Sequence, residues 1–251
     1  MSLHDLVLTI HDDAEQLGAV TAAHAAMAIR DAIDKKGEAR VMLAAAPSQE
    51  PTLRHLARES FDRDKLVLFH MDDYLGLAAD APQGFGNWLE TNFLDRLGSG
   101  PVFHRINPAL PPEEAEADYA AVMGVEPFDL TLCGLGVNAH LAFNDPPADF
   151  HDSKSVRVVQ LERRSRQQQV DEGHFPNLEA VPERALTVTI PRLLNAEAVV
   201  CSVLGRAKRE AVEKTLASPP DPQVPGTALK THPRVELHID REAATDAKLG
   251  S

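Results

Sequence analysis

The sequence predicts an α/β fold of three layers: a mainly parallel, twisted sheet with helices on both faces. Two observations predict it. Short apolar runs without polar alternation recur along the chain, as in strands covered on both sides. Segments with helical spacing of apolar residues lie between them, and strand–helix–strand alternation at that interval implies parallel pairing. A length of 251 residues suits one large domain. Residues 1–251 are read as a single unit, without repeats, low-complexity tracts or a long linker.

The elements follow in order. Residues 13–36 read as a long Ala-rich helix with Leu17, Val20, Ala23 and Met27 on one face, closed by Gly37. Residues 39–46 (ARVMLAAA) are a buried strand, 53–59 a helix, and 65–70 (KLVLFH) a second buried strand. Residues 85–97 are helical, 102–106 extended, and 112–123 helical with Pro and Glu at the start. Residues 129–133 (DLTLC) form another buried strand and run into Gly-Leu-Gly. Further strands are expected at 156–161, 185–190, 198–204 and 235–239, with a helix at 206–216. Ligands of such open sheets bind beyond the carboxyl ends of the strands, where strand order reverses. Chemistry is therefore sought just after each strand.

Composition narrows the function classes. The formal charge is −13, from 25 basic against 38 acidic residues. An acidic protein gains nothing from counterion release, which argues against nucleic acid and anionic membranes as partners but leaves room for a small anion. Cys133 and Cys201 each sit inside an apolar run, as buried reduced residues do. No apolar stretch approaches the ~20 residues of a membrane helix, and the opening residues lack the basic start of a signal peptide. The expectation is a soluble, cytoplasmic protein.

Two strand exits carry the polar groups. Residues 70–77 (HMDDYLGL) place Asp72 and Asp73 side by side. Adjacent carboxylates repel, so the pair fits either a capped turn or a general base separated by water or substrate. Residues 133–147 (CGLGVNAHLAFNDPP) place His140, of the residue type most used for proton exchange, five residues before Asp145. Gly134 and Gly136 let the backbone approach a ligand closely. The third glycine and the acidic residue of a dinucleotide fingerprint are missing. His70, Asp72 and Asp73 point to opposite faces of an extended chain, which disfavours a metal.

MDDYLGL followed by GLGVNAHLAFNDP resembles the glucosamine-6-phosphate deaminase family, which also contains the 6-phosphogluconolactonases. The resemblance runs nearly end to end, through ALTVTIPRLLNAEAVVCSVLGRAKREAV and LKTHPRVELHID. Lactonases continue the histidine motif with T-A-S-L-F-P; L-A-F-N-D-P sides with the deaminases. The resemblance implies a Rossmann-like fold and an aldose–ketose isomerisation of an amino-sugar phosphate with loss of ammonia, needing no metal and no cofactor. His140, partnered by Asp145, would open the sugar ring, and Asp72 would carry the proton between C2 and C1. Lys208 would meet the phosphate, and Asp73 and Gly136 would border the substrate.

Several positions depart from the family pattern. Asn138 replaces an aspartate, Ala139 a glycine, and Asp145 a glutamate. The sugar-phosphate loop, usually similar to P-T-G-G-T-P, is AAAPSQE, which leaves Ser48 and Gln49 as donors. The lid carries Arg163, Arg164, Arg166 and Gln167, Gln168, Gln169; Arg166 is favoured for the phosphate, against a solvated helix face. Nothing matches the family's allosteric residues. Homo-oligomers are common in the family, so self-association stays open. The rival readings are a sugar-phosphate isomerase or lactonase of the same fold, and a catalytically silent sugar-phosphate sensor. Such sensors carry a DNA-binding helix-turn-helix, for which the dozen residues before the first helix leave no room.

Overall fold

The computed structural model describes residues 3–245. Strand β1 (Val7–His11) leads into helix α1 (Ala14–Lys36), then β2 (Ala39–Leu43), a 3₁₀ turn (Pro47–Gln49), α2 (Glu50–Leu56) and β3 (Leu66–His70). The short β4 (Asp72–Tyr74) follows, and α3 (Phe85–Leu89) passes through a π-helical turn (Glu90–Leu94) into α4 (Asp95–Leu97). Then come β5 (Val102–His104), α5 (Pro112–Met123), β6 (Leu130–Cys133), β7 (Val156–Gln160), α6 (Arg163–Asp171), β8 (Arg184–Val188) and α7 (Ile190–Leu193). The chain closes with β9 (Val199–Val203), α8 (Arg209–Ala217) and β10 (Val235–Asp240).

Seven strands form one sheet in the order β1-β10-β9-β6-β2-β3-β5, every pair parallel. Alternation along each strand sends side chains into two cores. Val41, Leu43, Leu130 and Leu132 pack with Ala25, Ile29 and Leu53 of α1 and α2 on one face. Met42, Cys133, Cys201 and Leu237 pack with Tyr119 and Met123 of α5 on the other. Burial on both faces explains why these strands read as unbroken apolar runs. Cys133 and Cys201 sit opposite each other in the β6–β9 register as free, buried thiols.

Helix α1 begins as its sequence directs. The Asp13 side chain accepts from the Gln16 N–H at the N-terminus, and Gly37, at φ 83°, closes the helix with its N–H on the Ile33 carbonyl. Gly18 faces α2 so closely that a Cβ there would lie 2.6 Å from the Pro51 side chain. No helix of the described residues is long and apolar enough to cross a membrane.

Two expectations are corrected. β7 and β8 do not join the parallel sheet; they pair antiparallel with each other and with β4 as a separate sheet of order β4-β8-β7. Their burial was legible, but burial does not say which strand is the neighbour. The half-exposed edge strand β1 was not expected at all.

Candidate active site

Strand order reverses between β2 and β6: from β2 the chain builds outward through β3 and β5, while β6 lies on the opposite side beside β9. The loops leaving these two neighbours part, and a pocket opens between them. Together with the solvent at its open mouth it holds about 550 Å³ of empty space. Ser48, Gln49, Asp72, Gly136, His140 and Lys208 all line it. Four different segments thus bring six of the expected residues together.

Asp72 enters from β4. After His70 the chain advances one residue and pairs with the second sheet, the Met71 carbonyl accepting from Val188 N. This jump lifts Asp72 to the pocket floor, 6% exposed. Its carboxyl has no protein hydrogen-bond partner among the described residues. Burial, and then the charge of Asp73, push its pKa well above the usual carboxylate range.

Asp73 does not border the pocket. Its carboxylate accepts from the backbone N–H groups of Tyr74 (2.8 Å), Phe85 (2.9 Å) and Gly86 (3.0 Å). It caps the start of α3, so the turn reading holds for Asp73 while Asp72 faces the cavity. Burial raises its pKa to about 6, against the pull of those three donors and of Arg105. His70 is fully buried: its Nε2 accepts from Ile106 N at 2.9 Å, and its backbone carbonyl accepts from the Tyr119 hydroxyl at 2.6 Å.

His140 sits in a tight loop after β6, with Gly136 N donating to the His140 carbonyl and Ala139 N to the Gly136 carbonyl. The imidazole stacks against bare backbone. A Cβ on Gly136 would come within 2.2 Å of the ring, so no side chain fits there. Behind the ring, Asp145 Oδ1 collects three groups: His140 Nδ1 at 3.1 Å, Asn138 Nδ2 at 2.9 Å and the Ser165 hydroxyl at 2.5 Å. Asn138 also accepts from His140 N at 3.2 Å. Burial opposes ionisation of Asp145, but these bonds, led by His140, prevail and hold its pKa at about 2. Its other oxygen, Oδ2, is buried without a partner.

The two departures in the histidine motif fit one another. An aspartate at 138 could not donate to Asp145, whereas the amide bridges the His140 backbone and the Asp145 carboxylate. The loop turns through Ala139 at φ 65° and Ala142 at φ 50°, left-handed conformations that favour glycine.

At the other end, Gly134 faces the 3₁₀ turn after β2. A Cβ on it would lie 3.0 Å from Gln49 Nε2 and 3.4 Å from Ser48 Oγ. Gln49 is anchored by its Nε2 on the Ser202 carbonyl at 3.1 Å. Lys208 projects from the turn before α8 and is 8% exposed, and burial lowers its pKa. Its ammonium lies 3.5 Å from Glu172 Oε1.

Arg166 does not reach the pocket. Its guanidinium donates to the carbonyls of Leu178 and Val181 at 2.8 and 2.9 Å and ties α6 to the following loop. The inward face of this lid instead carries Ser165, Gln168, Gln169 and Glu172. Of these, Gln168, Gln169 and Glu172 line the pocket, and Gln168 Oε1 accepts from Val137 N at 3.1 Å. The spacing i, i+3, i+4, i+7 is a helical stripe in the sequence that could have found Ser165 and Glu172. The arginines between them drew attention to the opposite face.

Known proteins match this architecture along its length. The Bacillus subtilis (strain 168) protein named glucosamine-6-phosphate deaminase 1 is 31% identical over 88% of this chain and 93% of its own. Glucosamine-6-phosphate deaminase of Listeria innocua is 27% identical, covering 81% of this chain and 85% of its own. A solved structure described as a monomeric glucosamine-6-phosphate deaminase superposes with a TM-score of 0.84 at 28% identity, over 95% of this chain and 98% of that one. A 6-phosphogluconolactonase from Shewanella baltica shares the fold at a TM-score of 0.80 and 16% identity, over 96% and 100% of the two chains. The model of the glucosamine-6-phosphate isomerases and 6-phosphogluconolactonases matches residues 12–238, and this chain belongs to that family.

Proposed function

We propose that the protein is a glucosamine-6-phosphate deaminase-type enzyme, converting an amino-sugar phosphate and water to a ketose phosphate and ammonia. The observation that carries this reading is Asp72: a buried carboxyl without a protein partner, aimed into the cavity that also holds a carboxylate-backed imidazole and a buried lysine.

In this reading the phosphate lies at the Ser48, Gln49 and Lys208 end, where a cation and side-chain donors converge. His140, oriented through Nδ1 by Asp145, offers Nε2 to the ring oxygen and passes a proton there as the ring opens. Ser165 and Asn138 hold the Asp145 carboxylate in place. Asp72 removes the proton from C2 of the open-chain aldehyde and returns it at C1, while the C1 oxygen takes up a proton and the C2 amine gives one up, leaving an imine at C2. Water adds to that imine and ammonia departs, so one water is consumed for each ammonia released. The raised pKa of Asp72 suits it to both halves of the transfer, because a stronger base takes the carbon-bound proton more readily. The reading includes a single domain, no metal or cofactor in this chemistry, and a cytoplasmic setting.

The test is to supply glucosamine 6-phosphate and measure ammonia and ketose together, beside hydrolysis of a 6-phosphogluconolactone. Equimolar ammonia and ketose are expected, with lactone hydrolysis at background. His140→Gln is expected to abolish turnover of the cyclic sugar while sparing substrate supplied in open-chain form. Lactone hydrolysis without ammonia release would overturn the assignment.

A further inference from the structure

A second polar cluster stands near the β1 edge of the large sheet, and none of its residues lines the pocket. The alternate residues Glu236 and His238 send their side chains to one face of β10, and His11, which pairs with Asp240 on the neighbouring β1, turns its side chain to His238. Helix α1 crosses that face and contributes His24. His24 Nδ1 lies 2.5 Å and His238 Nε2 3.1 Å from the same oxygen, Glu236 Oε2. Behind them His11 Nε2 meets His238 Nδ1 at 2.9 Å, with the two rings stacked. Among the described residues, His24, Glu236 and His238 are the one group of three whose ligating atoms all lie within 4.8 Å of each other.

We propose that His24 Nδ1, Glu236 Oε2 and His238 Nε2 bind a divalent transition ion of the zinc type, with water as fourth ligand and His11 as a positioning residue. Two imidazoles and one carboxylate suit zinc and its neighbours, whereas calcium and magnesium take all-oxygen sets. Donors around a tetrahedral zinc stand ~3.3 Å apart; the His238–Glu236 pair is already close to that, and the His24–Glu236 pair would widen from 2.5 Å. The side chains of His24 and Glu236 are each 40% exposed, which leaves an entry path and room for the water. The His238 side chain is 2% exposed.

Proton positions follow from ligation. With Nε2 on the metal, His238 carries its proton on Nδ1 and donates it to His11 Nε2. His24 carries its proton on Nε2. The ion would pin α1 to β10 at the sheet edge, some way from the sugar chemistry, and would act on stability rather than turnover.

The test uses the chelator-stripped chain with Co²⁺ or Zn²⁺ alone. Cobalt is expected to give the strong visible bands of a tetrahedral ion, at one ion per chain. Zinc at about 100 times its Kd is expected to raise the melting temperature by roughly 5 °C. His24→Ala, at a half-exposed helix position, should weaken binding at least ~100-fold and leave ammonia release unchanged. His11→Gln should weaken cobalt binding about 10-fold and shift its bands, which loss of packing alone would not do. His140→Gln should bind as the parent does. The proposal is overturned by absence of cobalt bands at millimolar metal, by His24→Ala binding as tightly as the parent, or by loss of binding in His140→Gln.

Discussion

The two ends of the pocket are built on opposite plans. At the acid–base end the groups are set before any ligand arrives: Asp145 Oδ1 holds His140, Asn138 and Ser165, and bare backbone at Gly136 backs the ring. At the anion end the protein's own carboxylate, Glu172, occupies the lysine. A ligand there must displace that partner, whereas at His140 it meets a finished arrangement. In the proposed reading, the contrast means that the geometry for proton transfer is set by folding, whereas a phosphate competes with Glu172 for Lys208.

The strongest way to break this contrast is Asp72→Asn, which keeps shape and removes the base. Turnover should fall ~10²–10⁴-fold with KM largely kept, read as ammonia release. The same change should stabilise the fold. The folded pKa of Asp72 is raised, so its contribution to stability is intact below the ordinary value of 3.8 and is lost as pH rises through the folded value. The gain in melting temperature from Asp72→Asn should therefore grow between pH 4 and pH 8. A gain that shrinks over this range would show that Asp72 is not buried in its charged form.

Lys208→Ala addresses the other end. A charged hydrogen bond is worth about 1.5–3 kcal/mol, so KM for the phosphorylated sugar should rise by roughly 10- to 150-fold. The unphosphorylated sugar should change much less; equal losses for both would remove Lys208 from the phosphate end. Glu172→Gln should act in the opposite direction. With the competing charge gone, KM should drop a few-fold, on the order of 1 kcal/mol. A raised KM would mean that Glu172 contacts substrate rather than competing with it.

The smallest effect is expected at Ala139, whose φ of 65° costs a residue with a Cβ about 1–2 kcal/mol. Ala139→Gly relieves that strain but loses roughly 0.5–1 kcal/mol to chain entropy. A gain in stability of under ~1 kcal/mol should appear in denaturant midpoints, with kcat unchanged.

The parallel sheet was legible because its strands are buried on both faces and follow one another through helices; β2, β6 and β9 are plain apolar runs. β7 and β8 were legible as strands but not as a second sheet, since an apolar run records burial and not partner or direction. β1 was missed although residues 6–10 (LVLTI) are themselves an apolar run; the strand lies half-buried at the sheet edge, with an exposed start. In the site, His140 and Asp145 were readable from a separation of five residues. Ser165 was readable only as part of a helical stripe; its bond to Asp145, 20 residues away, is made by tertiary folding alone. Spacing alone did not tell Asp72 from Asp73, and only the family resemblance singled out Asp72; alternation along β4 is what sends one carboxyl to the cavity and the other to the N–H groups of α3. Arg166 was drawn to the phosphate by its charge, but carbonyls of its own lid claim it first.

The small sheet has a further consequence, best stated in mechanical language. β4 carries Asp72, and the link between β7 and β8 carries α6 with Ser165, Gln168 and Glu172, so the base and the lid ride on one plate. His140, Ser48 and Lys208 ride on loops and turns of the other. The plates are bolted near the chemistry by Met71 to Val188, by Phe143 N to the Thr187 hydroxyl and by Asn144 to the Val188 carbonyl. In the proposed reading, the residue that moves the proton and the helix that borders the substrate therefore hang from the same three strands.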